Sequence, residues 1–92
     1  MEFTRDDCKF TIPDRPNVEQ QLMYYSAAGG QNTLLRYWLG AQTLIEKWES
    51  ATLPDYKTDL KQIDSPNVTS LLIWVGLEVS KFMSALDEIP KN

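Results

Sequence analysis

Few residues in this chain carry chemistry, and their spacing limits what they could do. The 92 residues include no histidine, which removes the commonest general base, the commonest metal ligand and every histidine-containing triad. Cys8 is the one cysteine, so no thiolate zinc cluster, Cys-pair redox centre or internal disulfide can form. It could act as a nucleophile if Arg5 or Lys9 lowered its pKa. Its place in the alternating stretch Cys8-Lys9-Phe10-Thr11-Ile12 points instead to a small apolar residue on a buried strand face with Phe10 and Ile12. Asp6 and Asp7 are adjacent acids without the spacing of a calcium loop, and read as a solvated turn. Gly29-Gly30 precedes a helix but lacks the further Gly, Lys and Ser/Thr of a phosphate loop. Glu78 lies on the flank of an apolar helix seam, beside Val75 and Phe82, where burial can raise a carboxyl pKa. Pairing with a cation such as Arg36 is the plainer expectation, and no second acid lies within a helical turn to form a catalytic pair. The sequence therefore predicts no catalytic residue, no metal site and no cofactor, and a protein that binds rather than an enzyme.

Composition bounds the partners. Hydrophobic residues make up 42% and charged residues 24%, the range of one folded globular domain. The net charge is −4, and the nine Lys and Arg are scattered, so no nucleic-acid partner is expected. The longest apolar run, 71–77, is far short of the roughly 18 residues that span a bilayer, and no membrane association is expected. Glu2, Asp6 and Asp7 at the start argue against a signal peptide, and a lone cysteine suits a reducing cytoplasm.

The elements that would position any site follow from periodicity. Residues 1–13 alternate and predict an extended arm, with Asp6-Asp7 able to turn it into a hairpin. Residues 14–92 predict a bundle of three helices in the same single domain. The first starts around Asp14–Val18, runs to about Ala28 and places Val18, Leu22 and Tyr25 on its buried face, with Gly29-Gly30 as a left-handed stop. The second, capped by Asn32 or Thr33, carries Leu34, Tyr37, Trp38, Ala41, Leu44, Ile45 and Trp48 inward and runs toward Pro54. Arg36, Gly40, Thr43, Lys47 and Ser50 fall on its opposite side. In the connection 54–64, Tyr56, Leu60 and Ile63 read as anchors, with room for one short helical turn. Pro66-Asn67-Val68 repeats the Pro16-Asn17-Val18 start, with Ser65 as N-cap. The third helix then presents a seam of Val68, Leu72, Val75, Val79, Phe82 and Leu86, widened by Leu71 and Met83 and closed by Pro90. The predicted fold class is mostly α: a small three-helix bundle with a short extended N-terminal arm.

Apolar residues remain beyond what such seams bury. Ile73, Trp74 and Leu77 point away from the third seam, and Leu35 and Leu39 flank the second helix. A contiguous exposed patch of this kind marks a protein-binding or self-association surface, unless the arm or the 54–64 connection covers it.

From Phe10 onward the order of features resembles a known group. Phe-Thr-Ile-Pro precedes Pro-Asn-Val-Glu-Gln-Gln-Leu, then a Trp-rich helix from Arg36-Tyr37-Trp38 to Glu46-Lys47-Trp48-Glu49. A Leu-Pro connection leads to Ile73-Trp74-Val75 and to the ending Met83…Leu86…Ile89-Pro90-Lys91-Asn92. This is similar to small chaperone-like tail-assembly proteins of tailed bacteriophages and prophages, encoded near the tape-measure protein. The resemblance implies a non-catalytic adaptor in the cytoplasm of a bacterial host. Such an adaptor would self-associate as a homo-oligomer and hold apolar helical segments of a structural protein such as a tape-measure-like chain. The alternative from another class is a small acidic inhibitor of a host defence enzyme, which would gather its acids on one face.

Overall fold

Asp6 and Asp7 do turn the chain. The computed structural model describes residues 1–29, 34–63 and 68–87, and in it β1 (Glu2–Arg5) and β2 (Cys8–Thr11) pair antiparallel, with Arg5 opposite Cys8. Asp6 takes φ 53°, a left-handed conformation that a short polar side chain tolerates better than most. The Asp7 carboxylate accepts a hydrogen bond from the Thr52 hydroxyl at 2.5 Å, tying the turn to the far side of the sheet. Reciprocal bonds between Met1 and Ile12, at 2.8 and 2.9 Å, lengthen the ladder by one rung, and the Met1 ammonium also pairs with Asp14.

The expected three-helix bundle with an arm is corrected at residue 45. The helix α2 (Leu34–Leu44) ends ten residues before Pro54, and Lys47–Glu49 forms a strand, β3, paired antiparallel with β2. The fold is therefore α+β: a three-stranded antiparallel sheet in the order β1-β2-β3, together with three helices. Trp48, expected on a helix face, lies on β3 opposite Phe10 and faces inward between the exposed Lys47 and Glu49. The bond from Glu46 N–H to the Thr11 carbonyl at 2.8 Å shows what replaces the next helical turn. Sheet pairing satisfies these backbone groups and also delivers Trp48 to a cluster of rings.

Helix α1 (Val18–Ala28) starts cleanly. Asn17 and Gln20 form a capping box with both bonds at 2.8 Å, satisfying two otherwise orphaned N–H groups. Gly29 ends the helix at φ −41°, so the expected left-handed stop does not fall on it, and Gly30 lies outside the described residues. The facing of α1 is also corrected. Tyr24 is buried, whereas Val18, Leu22 and Tyr25 are exposed.

That reversal follows from how α2 is used. It lies between α1 and α3 (Thr69–Asp87) and makes the large helix contacts on both sides. The side of α2 expected to face water is where α1 packs: Gly40 is buried, and a Cβ there would come within 2.8 Å of the Tyr24 ring. On the other side, Gly76 of α3 meets the backbone of α2 at Trp38 N, 3.1 Å from where its Cβ would be. The buried line of α3 is Leu71, Val75, Val79 and Met83, continued by Val68 just before the helix, with Leu72, Phe82 and Leu86 half-buried. The seam is thus rotated toward Leu71 and Met83. The Thr69–Leu86 window is long and apolar enough to cross a membrane by length and composition, although Glu78, Lys81 and three serines lower its average, and the buried core helix of a folded domain passes the same test. Tyr56, Leu60 and Ile63 do anchor the connection, which includes a 3₁₀ turn at Leu60–Gln62. The expected caps at Asn32, Thr33 and Ser65, and the stop at Pro90, fall outside the described residues.

The glycine contact gives a test. Gly76→Leu should destabilise the fold by about 3 kcal/mol in denaturant titration, because the new side chain meets the main chain of α2, which cannot yield locally. Ala85→Leu, at an exposed position of the same helix, should stay within about 0.5 kcal/mol of the parent.

Candidate interaction surfaces

The apolar surplus divides between buried and open positions. Trp74 packs its ring edge-on against Phe10, with centroids 5.7 Å apart, so the hairpin takes up much of its surface. Ile73 is half-buried and lines a small cavity of about 130 Å³ with Leu34, Leu35, Trp38, Leu60 and Leu72. Leu77 is half-buried farther along α3. The arm and the 54–64 connection thus cover part of the third helix, as the sequence allowed.

Leu35 and Leu39 remain exposed, one turn apart on α2. They floor a groove of about 670 Å³ whose far wall is the segment 57–61, with Leu60 at its base. That wall is held in place. Gln42 donates its side-chain amide to the Tyr56 carbonyl at 2.6 Å, Asp55 accepts from the Lys57 N–H at 2.8 Å, and Asp59 accepts from the Lys61 N–H at 3.0 Å. Lys57 and Lys61 are left at the rim. The groove and the small cavity share Leu35 and Leu60, so Leu35, Leu39 and Ile73 come together while Trp74 does not join them.

A second open surface was expected in the core. Val18 is 70% exposed and Leu22 63%, and Met23 and Tyr25 are exposed beside them on α1. A shallow hollow of about 750 Å³ runs along this helix, bounded across α2 by Thr43. The sequence carried a signal for it. Tyr24 and Ala28 also stand four apart, so α1 has two apolar sides, and the side with the small Ala28 can approach Gly40 closely.

The titratable groups fit structural roles. Cys8 is fully buried, and burial, reinforced by the nearby Asp7 charge, pushes its thiol up to about 11. Asp14 is held below the usual carboxylate range, chiefly by the hydrogen bond from the Met1 ammonium. Glu78 pairs with Lys81 at 3.5 Å, the kind of cation pairing expected of it. Among the described residues, no cluster of three or more His, Cys, Asp or Glu is placed to hold a metal ion. The indole N–H groups of Trp38 and Trp48 are buried without a hydrogen-bond partner, their rings packed edge to face at 6.0 Å. Compared with family models, curated proteins and solved structures, the chain matches none.

Cys8 yields a pH prediction. Folding raises the thiol pKa, so its contribution to stability is complete below about pH 9 and is lost as the pH climbs toward 11. The loss should approach 1.4 kcal/mol per pH unit across that window. Denaturant midpoints should therefore fall more steeply between pH 8 and 10.5 in the parent than in Cys8→Ala. Parallel pH profiles would show that the thiol is not desolvated.

Proposed function

We propose that this chain is a non-catalytic, chaperone-like adaptor of the phage tail-assembly kind. It works in the bacterial cytoplasm and holds an apolar helical segment of a structural protein, such as a tape-measure-like chain. The observation that carries this reading is the groove floored by Leu35 and Leu39, open to solvent yet walled by a segment clamped through Gln42. Two leucines one turn apart over an apolar floor suit the anchors of an amphipathic helix, which recur at three- and four-residue steps. Lys57 and Lys61 at the rim favour a client with carboxylates beside its apolar stripe.

The acidic-inhibitor alternative gains no support from the same region. Asp55 and Asp59 engage the backbone N–H groups of Lys57 and Lys61, and Asp7 engages Thr52, so these carboxylates organise turns. A surface imitating nucleic acid would need its carboxylates directed outward together.

The test uses an amphipathic helical peptide of about 18 residues, with leucines at i, i+3, i+4 and i+7 and glutamates flanking them. Tryptophan emission should report binding to the parent, since Trp38 lines the adjoining cavity. Leu35→Asp should weaken binding at least about tenfold with circular dichroism unchanged, because a carboxylate in the groove must be desolvated. Binding unaffected by Leu35→Asp would remove the groove from consideration.

A further inference from the structure

We propose that the small cavity beside the groove is a specificity pocket, and that it takes one phenylalanine side chain of the client helix. The anchor assignment rests on the groove being the client's seat. The cavity itself can be tested without any client.

Three elements meet around this cavity. Helix α2 gives Leu35 and Trp38, α3 gives Thr69, Leu72 and Ile73, and the 3₁₀ turn gives Leu60. Trp38 is buried and lies at the base, while Leu35 is exposed at the mouth. One turn farther along α3, Gly76 comes against the backbone of α2 at Trp38, so the two helices close on each other beyond the cavity. The mouth opens on the groove, because both hollows share Leu35 and Leu60. An anchor side chain of a helix lying in the groove therefore has a hole to enter.

Chemistry and size narrow the occupant. Protein interiors leave few voids larger than a water molecule, so a hollow of about 130 Å³ calls for one. Water suits it poorly. The lining offers at most the hydroxyl of Thr69, the Trp38 indole nitrogen is sealed from solvent, and a held water needs about two to four polar partners. Apolar cavities of about 150 Å³ instead take up benzene. At an interior packing density of about 0.74, the space here holds about 95 Å³ of atoms, which a benzyl group matches and an isobutyl group underfills. Trp38 adds a ring contact that no aliphatic side chain can return. The stretches flanking the lining in sequence, 30–33 and 64–67, hold one proline among glycine and polar residues and supply no such group.

Toluene carries the atoms of a benzyl group and serves as the probe. Near saturation in buffer it should raise the thermal midpoint of the parent by at least about 2 °C. Ile73→Phe, which fills the cavity from α3, should lose that shift. Leu35→Trp, at an exposed position, should lose it by closing the mouth should the first variant fail to fold. The amphipathic peptide with phenylalanine at one leucine anchor should bind the parent roughly fivefold more tightly than the all-leucine peptide by calorimetry. In Ile73→Phe the two peptides should bind alike. No response to toluene, or a response that survives both variants, would overturn the pocket. Equal binding of the two peptides to the parent would overturn the phenylalanine anchor and leave the groove standing. Toluene uptake without binding of either peptide would overturn the groove reading and leave the cavity as an aromatic site.

Discussion

Phe10 holds the sheet to the helices. Its ring is fully buried, stacked on Phe3 at 5.0 Å, tilted against Trp48 at 6.1 Å and edge-on to Trp74 at 5.7 Å. One residue thereby joins β1, β3 and α3. Trp48 extends the cluster to Trp38 of α2 and to Tyr56 of the connection. Each such aromatic pair contributes about 0.5–1.5 kcal/mol beyond the area it buries. Short strands are marginal alone, so this sheet exists because the rings on its inner face have helices to rest on. The opposite face carries Glu2, Lys9 and Glu49, where Lys9 pairs with Glu2 at 3.6 Å and faces Glu49 across the ladder.

The same cluster explains which parts of the fold were legible in the sequence. The hairpin and α3 were, because alternation over residues 8–12 and a repeated four-three spacing over 68–86 are local signals. The end of α2 was not. Leu44, Ile45 and Trp48 continue the helical spacing, and a strand of three residues has no period of its own. What decides 45–49 is pairing with a strand almost forty residues earlier, an interaction that no local window contains. For α1, the apolar spacing was read correctly and its direction was not. Val18–Leu22–Tyr25 and Tyr24–Ala28 are both helical stripes, and only the presence of Gly40 across the interface selects the second. Of the candidate binding residues, Leu35 and Leu39 lie open, whereas Trp74 is engaged by the hairpin.

The order of packing has a functional consequence. Three helices in a triangle would each cover the other two. Here α2 is the middle member and α1 lies on one side of it, so among the described residues the side of α1 bearing Val18 and Leu22 stays exposed. Close approach at Gly40 and Gly76 uses α2 as a thin central wall, with α1 and α3 near its backbone. This economy of core leaves apolar surface on α1 and along the Leu35–Leu39 edge of α2, a costly arrangement for a chain that works alone.

Leu39 and Thr43 stand one turn apart on α2, so the Leu35–Leu39 groove and the hollow beside α1 lie on neighbouring parts of one helix. The wall of the groove is fixed by the Gln42 amide, which donates to the Tyr56 carbonyl, by the Asp55 and Asp59 carboxylates, which accept from the Lys57 and Lys61 N–H groups, and by the 3₁₀ turn at Leu60–Gln62, so this concave surface is formed in advance.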